Sequence, residues 1–375
     1  MKNSVIVVGG GIMGASAAYA LSQLGRQVTL LDLGEVPNRH SASGDQLRAF
    51  RMTYGKDAFY TEMAAKALPL WRGLCQQSSD EFMVQHGFLD LAVQAHGYVE
   101  HCLQVLKDHR IPCQVLQKDD IRRHYPMMNS RAFRFGLLHK DGGMIWAMRA
   151  VSTILGLAQR KGVKVRTHTR IASLVKAKGV ITALKDTAGR VHEAGNFLFA
   201  PGAWTPELLK GYRLPVKVTR QQQLYLRPPY NRGRYRQEHF PPFYVQSQGF
   251  YGLPMHIHGF MKIAENRKGP PGKPGDVDER EITPQFERKV RAFLKRFIPE
   301  LAGFTEYEGH VSYYTNTKDD DFIMDRLPDA SNGFLMTGFS GHGFKFAPLL
   351  GQAMAQLIVG GKSDLNLHRF RLSRF

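Results

Sequence analysis

The residues that most plainly carry chemistry are glycines. Gly9, Gly11 and Gly14, in Gly9-Gly10-Gly11-Ile12-Met13-Gly14, read G-x-G-x-x-G, and Asp32 follows eighteen residues after Gly14. Gly9 permits a tight turn, Gly11 lets the backbone approach a pyrophosphate, and Gly14 lets helix and strand pack closely. A helix opening here points free N–H groups at phosphate. Asp32 can hold a pair of ribose hydroxyls, and its charge disfavours a 2′-phosphate. The chemistry is dinucleotide binding, with Ile12 and Met13 inside the phosphate turn, and these residues alone do not separate NAD from FAD. His256 and His258 alternate as if on one strand, but no third ligand at a convincing spacing accompanies them, so no metal is expected.

The elements that must position these groups flank them. Val5 to Val8 is a short β-branched run, as a buried parallel strand should be. A helix is expected from Ala15 to Leu24, stopped by Gly25, and a second strand from Val28 to Leu31 delivers Asp32. Residues 57–78 place Tyr60, Met63, Ala64, Leu68 and Trp71 on one helical stripe. Phe88 to Val93 reads as a strand, 149–161 as a helix, and Phe197 to Ala200 as a strand closed by Pro201-Gly202-Ala203-Trp204. From Val216 the texture is β-rich, interrupted by loops at Pro228 to Pro242 and Arg267 to Glu281, before a helix from Pro284 to Phe297. A strand at Phe334 to Thr337 then enters Gly338-Phe339-Ser340-Gly341-His342-Gly343, and a helix follows from Phe346 to Val359. Two strand–glycine loop–helix units at opposite ends of one chain imply a discontinuous cofactor domain. The expected division is 1–85, 142–215 and 308–375 for that domain, with a β-rich substrate domain from 86–141 and 216–307.

Composition bounds the rest. The 375 residues suggest two domains, and 43% hydrophobic with 11% aromatic residues supports a packed core rather than disorder. Three cysteines, Cys75, Cys102 and Cys113, make no disulfide framework and suggest a reduced, cytoplasmic setting. The uncharged run after Lys2 also resembles a secretory signal, but its glycines fit a phosphate turn better. No other apolar stretch approaches membrane length, so stable membrane insertion is not expected. The net charge of +19 suits nucleic acid, a membrane surface, an anionic substrate or solubility alike.

Four segments together resemble the D-amino-acid-oxidase-type family of FAD oxidoreductases, in its branch of monomeric sarcosine oxidase and N-methyltryptophan oxidase. They are GGGIMG with Asp32, the FAPGAW strand end, VSYYTNTKDDDFIMD at 311–325, and GFSGHGFKF at 338–346. The resemblance spans essentially the whole chain. It implies a fold of class α/β plus β: a Rossmann-like, GR2-type FAD-binding domain with an inserted β-sheet-rich substrate domain. It also implies a monomer that removes a hydride equivalent beside an amine nitrogen of a small, often N-methylated amino acid. The imine hydrolyses, and O2 becomes H2O2. The FAD contacts it implies are Gly9, Gly11, Ile12, Met13, Gly14, Asp32, Ser43, Gly202, Trp204, Gly338, Gly341, His342, Gly343, Phe344 and Lys345. Lys345 and Arg51 are the implied ligands of the substrate carboxylate, a role that suits a bidentate arginine. Arg48 matches a further active-site arginine, Lys262 matches the lysine that promotes reaction with O2, and Tyr314 and Tyr251 line the pocket. Against these stand plainer readings: an ion-paired arginine, an edge-strand lysine, tyrosines that merely pack, a histidine held by its loop.

Two departures stand out. Ser312 occupies the position of the cysteine that tethers FAD in this branch, and a hydroxyl is a far poorer nucleophile than a thiolate, so non-covalent FAD is expected. Ala42, Ser43 and Asn266 stand where the branch has histidines, so the substrate need not be sarcosine. A dehydrogenase delivering electrons to a quinone or protein partner is the competing expectation. The Arg232/Arg234/Arg236 loop and the Arg369/Arg371/Arg374 tail raise nucleic acid as a third class, but no RNA-binding motif accompanies them, and no nucleic-acid partner is expected.

Overall fold

A computed structural model describes residues 3–228, 232–275 and 281–375. Residues 229–231 and 276–280, within the two expected loops, lie outside the described residues, as do Met1 and Lys2. The strand Ser4–Val8 runs parallel to Gln27–Leu31 on one side and Asn196–Phe199 on the other. Val5 and Val7 face one apolar core while Ile6 and Val8 face another. A strand covered on both faces must read as an unbroken apolar run. Lys164–Arg166, Ala330–Thr337 and the antiparallel Ile323–Leu327 complete a six-stranded sheet.

The helix Ile12–Gln23 is buried continuously from Ile12 to Leu21 because the C-terminal helix Ala347–Gly360 packs against it. Gly14 makes its close seat on the first strand possible, since a Cβ there would lie 1.8 Å from the Gly9 carbonyl oxygen.

A second sheet has eight strands, ordered from Tyr307–Asn316 through Lys217–Leu226, Met261–Glu265, Phe250–Leu253, Phe243–Val245, Phe88–Ala92 and Phe135–His139 to Cys113–Leu116. Strand periodicity gives it two unlike faces. Leu89, Leu91, Leu224 and Ile263 enter a core closed by Phe286, Val290, Phe293 and Phe297 of the helix Pro284–Phe297. The other face carries Phe88, Asp90, Tyr244, Tyr251, Lys262, Tyr225, Ser312 and Tyr314, as the pairings of Tyr244 with Asp90 and Tyr251, and of Lys262 with Tyr225, require. This face roofs the glycine loops of the first sheet.

The sequence reading missed several strands. Leu47–Phe50, Met83–Val84 and Gly143–Trp146 form a small antiparallel sheet. Tyr307–Asn316 holds Glu308 and His310 in its ladder only because it pairs along its whole length with Lys217–Leu226. A boundary at residue 308 therefore falls inside a strand of the eight-stranded sheet. His256 and His258 do not alternate on a strand. They sit in the turn between Phe250–Leu253 and Met261–Glu265, where the His258 N–H donates to His256 Nδ1 at 3.0 Å. No helix among the described residues is long and apolar enough to cross a membrane.

Gly14→Ala is expected to lower stability by about 1–3 kcal/mol, because helix and strand must part. Gly211→Ala, where no atom lies within 4 Å of an added Cβ, should stay within about 0.5 kcal/mol of the parent. Chemical unfolding of the two variants checks this.

Candidate active site

The two glycine units open on one long cleft. Gly9, Gly11, Ile12, Met13, Asp32, Ser43, Gly202, Trp204, Gly338, Gly341, Gly343 and Phe344 all line it, as do Arg48 and Tyr314. At one end the first helix presents its N-terminus with no acidic residue in its first turn. Ser43 Oγ accepts from the Ile12 N–H at 3.0 Å, and Asp32 accepts from Gly10 at 2.6 Å and from Gly34 at 2.9 Å. Burial raises the Asp32 carboxyl, and the Gly10 and Gly34 hydrogen bonds partly offset the rise. At the other end Gly341 lies against Tyr314, where a Cβ would come within 2.4 Å of the ring.

These residues fit FAD. A helix N-terminus suits a pyrophosphate, the nearby carboxylate suits ribose hydroxyls, and a side-chain-free loop under a tyrosine leaves a flat slot. Three predicted contacts lie elsewhere, Lys345 among them, in a neighbouring pocket. Gly14 holds the helix seat and does not line the cleft. His342 points into a neighbouring pocket, its Nε2 3.0 Å from the Asp320 carbonyl oxygen, and burial with the Lys345 charge pushes it down to about 3, so it is neutral.

That neighbouring pocket shares Arg48, Tyr314, Gly341 and Phe344 with the cleft and adds Arg51, Phe88, Tyr244, Tyr251, Asn266 and Lys345. Arg51 donates to Tyr98 Oη at 2.8 Å, and its guanidinium lies 4.4 Å from the Tyr54 ring centroid and 5.5 Å from that of Tyr244. Lys345, 5% exposed, donates to Tyr54 Oη at 2.8 Å and to the His342 carbonyl oxygen at 2.9 Å. Neither cation has a carboxylate at ion-pair distance among the described residues. Burial, together with the Arg51 charge, pushes the Lys345 ammonium well below the usual lysine range. Trp71, from the helix Ala58–Ser78, fixes this loop: its Nε1–H donates to the Lys345 carbonyl oxygen at 2.7 Å, and its ring lies parallel to Phe344.

Lys262 lines neither cavity. It is 1% exposed, and its ammonium pairs with the equally buried Asp45. Asp45 also takes Arg48 and accepts from the Tyr225 hydroxyl. Burial opposes ionisation of Asp45, but the Lys262 and Arg48 charges hold its carboxyl well below the usual carboxylate range. Ser312, fully buried on the same face, accepts from Gln223 Nε2 at 3.1 Å.

Sequence reasoning missed Asp45, Tyr54, Tyr98 and Tyr244. The Gly44-Asp45 pair just before the arginines was the one available signal. Tyr54 lies only three residues after Arg51, whereas Tyr98 and Tyr244 come from distant segments, and no spacing connects those two to Arg51 or Lys345.

Asp45→Asn leaves two adjacent buried cations without their counter-ion and is expected to cost about 3–5 kcal/mol in urea unfolding. The double variant Asp45→Asn/Lys262→Met should recover part of that loss. A double variant as unstable as the sum of the singles would break this account of the cluster.

The chain is 29% identical to the peroxisomal sarcosine oxidase of Homo sapiens, covering 99% of this chain and 95% of that protein. It is 27% identical to a monomeric sarcosine oxidase of Bacillus sp. (strain B-0618) over 99% and 95%, and 28% identical to an N-methyl-L-tryptophan oxidase of Escherichia coli O81 (strain ED1a) over the full length of both. The L-proline dehydrogenase of P. horikoshii shares the fold, with a TM-score of 0.89 over 100% of this chain and 98% of that one, at 20% identity. The model of the family described as FAD dependent oxidoreductase matches residues 4–357, and the chain belongs to that family.

Proposed function

We propose that the protein is an amine oxidase that takes a small, carboxylate-bearing secondary or N-methyl amine. It oxidises the C–N bond to an imine and reduces O2 to H2O2. The observation that carries this reading is the pair Arg51 and Lys345, two cations facing one small pocket beside the cleft with no carboxylate at ion-pair distance among the described residues. An anion is the ligand such a pocket lacks. Bound FAD supplies the two-electron acceptor, and the protein supplies the setting. Arg51 and Lys345 hold the carboxylate, while Tyr251, Tyr244, Tyr314 and Phe88 wall the pocket against water. The positive charge of Arg51 and Lys345 beside the pocket disfavours a protonated amine and so favours the neutral form that can lose a hydride. His342 is held neutral with its Nε2 at a backbone carbonyl, so it is not assigned the role of base.

Names of the relatives support the amine class, since sarcosine and N-methyl-L-tryptophan are both N-methyl amino acids. Lys262 lines neither cavity and is paired with Asp45, so it supports the oxidase reading only through its match to the lysine that promotes reaction with O2 in the branch this chain resembles. The Ser312 hydroxyl, engaged with Gln223, supports FAD held without a covalent tether.

Anaerobic mixing of the FAD-loaded protein with amino acids, N-methyl amino acids and cyclic imino acids tests the substrate class. Bleaching of the flavin is expected with a secondary amino acid and at least about 100-fold more slowly with its carboxamide, a loss of about 2.7 kcal/mol. Equal rates for acid and amide would defeat the carboxylate reading. Readmitted O2 should yield one peroxide per turnover, and Lys262→Met should slow this reoxidation while leaving reduction intact. Acid precipitation should leave the yellow colour in the supernatant; a yellow pellet would mean a covalent link.

A further inference from the structure

Behind Arg51, away from the pocket, lies a carboxylate that the catalytic reading does not use. Asp90 sits in the strand Phe88–Ala92 between Leu89 and Leu91, opposite Leu137 on one side and Tyr244 on the other. It is 0% exposed, and neither carboxyl oxygen has a hydrogen-bond partner of normal geometry among the described residues. The Thr53 hydroxyl, itself buried, lies beside it and favours its charged form. A buried carboxylate without full hydrogen bonding is far less stable than an apolar residue of similar size, so its presence in an apolar strand needs a reason. The charge it feels is Arg51.

We propose that Asp90 is a positioning residue for substrate capture acting through Arg51: it takes up a proton when Arg51 takes a carboxylate ligand, so that anion binding and protonation are coupled. This rests on the reading above that Arg51 and Lys345 hold a carboxylate. In the empty pocket Arg51 faces one anion at most, Asp90. When a ligand carboxylate arrives, two anions share one guanidinium, and the buried one keeps only the Thr53 hydroxyl among the described residues to favour its charge. A proton from solvent neutralises Asp90, leaving Arg51 to the ligand. Burial, only partly offset by Arg51, pushes the Asp90 carboxyl up to about 7. A second anion at Arg51 raises it further. The sign follows: below about pH 7 Asp90 is already neutral and binding takes up nothing from it, whereas above that value each binding event takes up a proton and affinity falls as pH rises.

The other groups facing Asp90 do not titrate in this range. Burial raises the Tyr98 and Tyr244 hydroxyls and pushes the Cys102 thiol up to about 12, and burial pushes His139, across the strand pair from Phe88, down to about 3. Lys345, on the pocket side of Arg51, does titrate lower than usual, and it contributes equally whether or not Asp90 is present.

The test is acetate binding to the FAD-loaded protein between pH 6 and pH 9, followed by the flavin spectrum and by thermal shift. The ratio of acetate Kd values, wild type over Asp90→Asn, should be close to one at pH 6. It should grow by about tenfold per pH unit above about pH 7.5. Lys345 cancels in that ratio. A ratio that stays flat, while Arg51→Gln weakens acetate binding, overturns the role of Asp90 and leaves the carboxylate site standing. Acetate binding that is absent, or indifferent to Arg51→Gln and Lys345→Gln, removes the carboxylate site and this proposal with it. Infrared difference spectroscopy on the wild-type protein at pH 8 needs no variant: ¹³C-acetate should bring up an unlabelled carboxylic-acid carbonyl band, and its absence overturns the proposal.

Discussion

Asp45 stands at the seam between the two sheets, and its charge makes the seam possible. It lies on the segment that leads from the cofactor sheet into the strand Leu47–Phe50, and it binds Arg48 from its own segment and Lys262 from the roof. Two buried cations so close would repel each other and resist burial without it. The hydroxyl of Tyr225, a second roof strand, closes the cluster. The same carboxylate therefore fixes the Arg48 side chain at the cleft, holds a charged lysine inside an otherwise apolar strand, and registers roof against floor.

Beside this compensated cluster lies an uncompensated one. Arg51 and Lys345 are held by tyrosine hydroxyls, aromatic faces and a backbone carbonyl rather than by carboxylates. Such partners orient a cation without neutralising it. Within a few residues of sequence, Arg48 is paired with a carboxylate, whereas Arg51 has none at ion-pair distance among the described residues. The loop carrying Lys345 is immobilised from behind by Trp71 and from above by Tyr314 against Gly341, so its cation is placed before any ligand arrives.

Part of the positive surplus also finds a place. Arg369 spans Asp57 and Asp321 at 2.6–3.0 Å, and Arg374 reaches Asp319 at 2.8 Å, so the basic tail pins the C-terminus beside the glycine loop. In the other basic loop Arg234 pairs with Glu300. Arg234, Arg369 and Arg374, which look like parts of a binding patch in a linear reading, are here ion-paired side chains, and each such surface pair contributes modestly.

The sequence by itself determined what local rules govern. Val5 to Val8, the three glycines, the helix and Asp32 follow from backbone sterics and hydrophobic periodicity within thirty residues. The helix Pro284–Phe297 is set by Thr283 capping Phe286, with Pro284 at its first turn. The glycine loop before the last helix was legible for the same reason. Tertiary structure alone decided the rest. Tyr307–Asn316 becomes a strand through its partner rather than its own pattern, and His256 and His258 fall in a turn because the flanking strands end there. Asp45, Tyr54, Tyr98 and Asp90 meet Lys262, Lys345 and Arg51 across separations of 39 to 291 residues. Long-range electrostatics leaves no periodic trace in a chain: a lysine reads the same whether its counter-ion is present or missing, and only folding brings the two close enough for the difference to exist.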